Sequence, residues 1–105
     1  MSELDVNRLL LRFEQSVRDI NRDMINPQIE ELTLSDLDPV IKMVASARAR
    51  YLKELFDMAS VFDGEVPRPE QIKRLRQFRE SYEELVAGSV ALENAVERGY
   101  LDVND

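Results

Sequence analysis

Cysteine and histidine are both missing from this chain. Without cysteine there is no disulfide, no thiolate zinc site and no thiol nucleophile, and redox chemistry leaves the compartment open. Without histidine there is no imidazole general base, no Ser-His-Asp triad, no Glu-x-x-His di-iron site and no imidazole ligand for haem. Helical bundle enzymes usually depend on those groups. Glycine (3) and proline (4) are scarce, and all but Gly88 fall where a helix would start or stop. No apolar run approaches the ~18 residues of a transmembrane span.

Apolar residues make up 44% of the chain and charged residues 33%. That is too apolar for a disordered chain and too charged for a membrane protein. A length of 105 residues fits a single helical domain with a thin core, for which oligomerisation is a natural supplement. The net charge of -7, with a pI near 4.6, repels nucleic acid and anionic lipid at long range. Glu3 and Asp5 stand where a secretory leader carries positive charge, and the expected compartment is the cytoplasm.

The apolar periodicity predicts three long helices, over about 3–25, 36–62 and 69–98. In the first, Val6, Leu10, Phe13, Val17, Ile20 and Met24 recur at alternating spacings of four and three, a heptad-like seam that Leu9 widens. Asn26–Pro27 stops it, because the residue before proline is driven out of the α region. Residues 26–35 read as a loop or short turn, with Ile29, Leu32 and Leu34 as apolar contacts and Glu30 and Glu31 adding acidity. The second helix has two plausible starts: Ser35 with Asp38 three residues on, or Asp38 as cap before Pro39. Its apolar arc is wide: Leu37, Val40, Ile41, Val44, Tyr51, Leu52, Leu55, Met58, Ala59 and Phe62.

Asp63–Gly64 is a turn signal, and Pro67 and Pro69 forbid continuation. The third helix carries the seam Leu75, Phe78, Tyr82, Leu85, Ser89, Leu92 and Val96, with Gly99 as its C-terminal cap. Residues 102–105 are expected to fray. The implied architecture is an all-α, elongated antiparallel bundle in which the second and third helices form a hairpin.

Carboxylates are the remaining resource for chemistry, but Glu54, Asp57, Glu80, Glu83, Glu84 and Glu93 fall mostly outside the seams, as solvated faces do. Gly64 and Glu70 have the spacing of the sixth and twelfth positions of a calcium loop, yet Ala59 and Val61 would be its first and third ligands and cannot bind the ion. No phosphate-cradling glycine loop is present. The sequence thus points to no catalysis, no metal and no cofactor.

Three features stand out. Arg68, Lys73, Arg74, Arg76 and Arg79 form a basic cluster near a helix N-terminus, where positive charge needs compensation. It reads either as a solvated face paired with carboxylates or as a contact for an anionic partner. In the C-terminal half of the third helix, Ala87, Gly88, Ala91 and Ala95 line one side and Val86 and Val90 another, which marks a candidate self-association surface. Arg48 projects only ~20° from the centre of the second helix's apolar arc. A buried, unpaired guanidinium is not tolerable. It reaches an edge, pairs across an interface, or holds an anionic ligand, and the hairpin register places residues near Glu84 to Ser89, and Glu93 beyond, as its intrachain candidates. The functional expectation is a helical protein–protein interaction module (an adaptor, chaperone or assembly factor) that forms a homodimer and binds a further protein. The alternative is a nucleic-acid-associated regulator using residues 68–79.

Overall fold

The computed structural model describes residues 2–29 and 32–104, so the expected acidity of Glu30 and Glu31 and the fraying of Asp105 lie outside the described residues. Three α-helices account for most of them: α1 Glu3–Ile25, α2 Leu34–Phe62 and α3 Pro69–Glu97, with a short 3-10 turn at Asn26–Gln28. Among the described residues the only extended pairing is an isolated bridge between Thr33 and Asn104. The protein is all-α, and α2 and α3 pack as a hairpin. By its contacts the chain divides into two compact units, Met1–Asp36 with Leu92–Asp105, and Leu37–Ala91.

The first unit is organised by its caps. Ser2 opens α1: its Oγ accepts from the Asp5 N–H at 3.2 Å and donates to the Asp5 carboxylate at 2.8 Å, satisfying a donor that the first helical turn leaves unpaired. Thr33 opens α2 with one half of a capping box, in which the Asp36 carboxylate accepts from Thr33. The Thr33 N–H and hydroxyl donate to Asp36 Oδ2 at 2.8 and 2.9 Å, and the Asp36 N–H donates to the Thr33 carbonyl. This corrects both expected starts, Ser35 and Asp38. The box lies two residues before the first of them, and Pro39 is carried inside the helix.

α3 ends in a glycine cap. Gly99 has φ +80, its N–H donates to the Val96 carbonyl, and the Tyr100 N–H reaches back to Ala95 at 2.8 Å. Those two bonds define the Schellman motif and place Gly99 in the left-handed position that residues with a Cβ avoid.

The expected fraying is corrected for residues 102–104. The Arg22 guanidinium makes a two-pronged contact with the Asp102 carboxylate, one bond at 2.9 Å, and also donates to the Gly99 carbonyl at 3.1 Å. The Asp102 N–H donates to Asn26 Oδ1, and the Asn104 N–H donates to the Leu32 carbonyl at 2.8 Å. Leu32 and Leu101 are the buried apolar side chains of this unit. Bidentate arginine contacts and backbone bonds to a distant segment hold the tail in place.

Hydrogen bonding to Arg22 lowers the Asp102 pKa from its ordinary 3.8. A carboxylate whose folded pKa is depressed contributes stability above its unfolded pKa and loses it as pH falls through the folded one. Asp102→Asn is therefore expected to melt earlier than wild type at neutral pH, and that gap is expected to close once the pH has dropped well below 3.8. Thermal melts of the two proteins across an acid series check this. A gap that persists undiminished in acid would show that Asp102 contributes nothing through its charge.

The second unit is the hairpin proper. Tyr51 stacks on Tyr82 with ring centroids 6.1 Å apart, and Glu54 pairs with Arg74 at 3.1 Å. The α3 partner falls in number as the α2 residue rises, so the helices run antiparallel. Asp63 (φ 45) and Gly64 (φ 89) make the reversal, and Asp is among the few side chains that tolerate the left-handed region. Val44 and Met58 are buried. They lie on the side of α2, with Val40, Ala47, Tyr51 and Phe62, that faces the α3 seam Leu75, Phe78, Tyr82, Leu85 and Ser89.

Candidate interaction surfaces

The wide apolar arc of α2 is divided by the hairpin. The edge carrying Val44, Tyr51 and Met58 is covered by α3. Nearer the centre of the arc, Ile41, Leu52 and Leu55 are 49–63% exposed. These three form a bare row with Arg48 in its middle, because residues at 41, 48, 52 and 55 share one helical face.

Arg48 reaches from that row to the rim of the hairpin. Its Nε donates to Tyr82 Oη at 3.2 Å and its guanidinium lies 5.3 Å from the Tyr82 ring centroid. The aliphatic stem covers apolar surface while the charge stays in solvent. The expected intrachain neighbours near Ser89 are corrected: Ser89 Oγ donates to its own helix, to the Val86 carbonyl at 2.8 Å. The register is set by a turn between Phe62 and Pro69, which brings Arg48 level with Tyr82 rather than with the turn beyond it. Tyr82 was legible as a seam residue, and an exact turn length would have identified it as the partner.

The basic cluster is partly neutralised within its own unit. Arg74 Nε lies 3.1 Å from Glu54 Oε1, and Arg79 Nε lies 3.6 Å from Glu83 Oε1. The Glu54 contact supplies the compensation expected for positive charge near the N-terminus of α3. Arg74 and Arg50 also sit 5.5 and 5.2 Å from the Phe78 ring centroid. Arg68, Lys73 and Arg76 are exposed. Beside Arg50 and Phe78 an open groove of about 460 Å³ runs between α2 and α3, with Met43 and Leu85 among its walls.

The small-residue face of α3 is mostly open. Ala87, Gly88, Val90 and Ala91 are exposed, while Val86 and Ala95 are half-buried. A Cβ added at Gly88 would meet nothing, so that glycine is not required by any close approach among the described residues.

α1 carries a long uncovered apolar face. Val6, Leu10, Phe13, Ile20 and Met24 are 40–70% exposed, as is Leu9, and Val17 is half-buried. The C-terminal segment of its own unit binds Arg22 on the far side of the helix and borders the seam only at Phe13 and Val17, which line a cavity with Arg98 and Tyr100. No side chain of α1 is buried.

Among the described residues no group of three carboxylates converges as a metal site, and no helix is long and apolar enough to cross a membrane. The surfaces that remain are apolar rows edged by charge on an all-α protein built around a helical hairpin. No protein-family model, no curated protein and no solved structure matches the chain.

Proposed function

We propose that this chain is a non-catalytic helical protein–protein interaction module that self-associates as a homodimer and serves as an adaptor, chaperone or assembly factor. The observation that carries the reading is the row of large apolar side chains left uncovered on α1, repeated on α2 by Ile41, Leu52 and Leu55. Exposed apolar patches of this continuity mark docking surfaces, since leaving them in water costs about 25 cal/mol for each Å².

Reading residues 68–79 as a nucleic-acid contact draws less support. Arg74 and Arg79 already have carboxylate partners, and the chain carries a net charge of -7.

Sedimentation over a concentration series tests the proposal. The mass is expected to rise reversibly from 12.2 kDa to about twice that value by roughly 100 μM, a concentration at which even a modest interface is occupied. A constant monomer mass across the series overturns the homodimer.

A further inference from the structure

We propose that α1 is the surface on which two copies of this chain join, with Val6, Leu10, Phe13, Val17, Ile20 and Met24 of each copy packed on the same row of the other. The inference rests on the homodimer reading and names its surface.

Four observations select a second copy as the occupant. The spacing of the row is that of a coiled-coil seam, in which positions three and four residues apart present a continuous stripe to a partner helix. That spacing also reads the same from either end, so an identical helix can close it in an isologous contact.

The row holds no charge, and its flanks carry Asn7, Leu9, Ser16 and Asn21 with Glu14 and Asp23 as the ionised neighbours. α1 as a whole has four arginines against five carboxylates, hence a net of -1 out of the chain's -7. Two copies therefore meet little long-range repulsion along this helix.

The area is sufficient. At roughly 100 Å² of apolar surface per fully bared side chain, the exposed fractions of Leu9 and the five bare seam residues amount to about 350 Å² per copy. If apolar atoms form about two-thirds of a homodimer interface, the pair buries about 1,100 Å². That clears the ~1,000 Å² that separates specific interfaces from adventitious ones.

The other uncovered faces fit a second copy less well. The α2 row is interrupted by Arg48, so an isologous contact about its middle would bring two guanidiniums together without a carboxylate between them. The α3 face offers chiefly Ala87, Gly88 and Ala91, whose side chains supply little area, with Val90 as its one large exposed residue.

The test compares solution masses at a concentration where the wild type is dimeric. Phe13→Glu and Ile20→Lys each place a charge in the seam at positions already exposed, so both are expected to keep wild-type helix content by circular dichroism while their mass halves. Ala91→Glu is expected to remain dimeric. A wild-type dimer that persists in both α1 variants overturns the seam but leaves the homodimer standing. Dissociation by Ala91→Glu alone overturns it in favour of α3. A wild type that stays near 12.2 kDa throughout overturns the homodimer and the seam with it.

Discussion

Leu101→Ala is expected to lower stability by about 2–5 kcal/mol, the cost of removing a buried leucine side chain and leaving its space unfilled. Leu101 is only 3% exposed, below every other apolar residue of the core. It follows directly on the α3 cap, and its N–H donates to the Ala95 carbonyl. The residues after it hold the segment in place through Asp102 with Arg22 and Asn104 with Leu32. Among the described residues the other buried apolar side chain of this unit is Leu32, so little neighbouring apolar mass can close the cavity. For a chain of this size each kcal/mol shifts the midpoint by several degrees, and the melt is expected to fall by roughly 10–25 °C. A thermal melt of the variant that overlays the wild type would show that the tail contributes no core.

Met58→Asp is expected to have a comparable or larger effect in the hairpin unit. Met58 is 7% exposed and shares the buried position in α2 with Val44. A carboxylate placed there without a partner is driven toward its neutral form by desolvation. A rise of about three units above its ordinary pKa costs roughly 4 kcal/mol at neutral pH. The sign follows from linkage: a raised folded-state pKa penalises the folded protein above the unfolded pKa, so the penalty fades as pH falls from neutral toward about 4 and is gone below it, leaving only the lost methionine packing. Urea unfolding at neutral and acid pH measures both parts. A variant as stable as the wild type at neutral pH would mean that this face of α2 is not enclosed by α3.

The helices were readable because their signals are local. Asn26–Pro27, Asp63–Gly64, Pro69 and Gly99 each act through the backbone of their own neighbourhood, and α1 ends where Asn26–Pro27 places its stop. The start of α2 was misplaced because several capping residues compete within Thr33–Asp38. Thr33 prevails through its two bonds to the Asp36 carboxylate, next to the backbone pairing that joins Leu32 and Thr33 to Asn104. The C-terminal segment was misjudged for the same kind of reason: polar residues at a chain end look free until the arginine that binds them, some 80 positions away, is brought beside them.

Arg48 shows the division most clearly. Helical periodicity singles it out as the charged member of an apolar face, and the hairpin turn narrows where its partner must lie. That the partner is Tyr82, a ring that offers both a hydroxyl and a π face, depends on a register of one or two residues that the turn's geometry sets.

The order of amino acids by itself determined three helices, the α2–α3 hairpin, the charge that disfavours nucleic acid, and the absence of histidine and cysteine chemistry. Only the tertiary structure decided which half of α2's apolar arc is covered, that residues 102–104 are held, and that the α1 seam is bare. The physical reason is one of range. Periodicity and caps act within a few residues along one helix, so they specify which side chains share a face. Whether that face is buried depends on what arrives from a distant part of the chain or from another molecule.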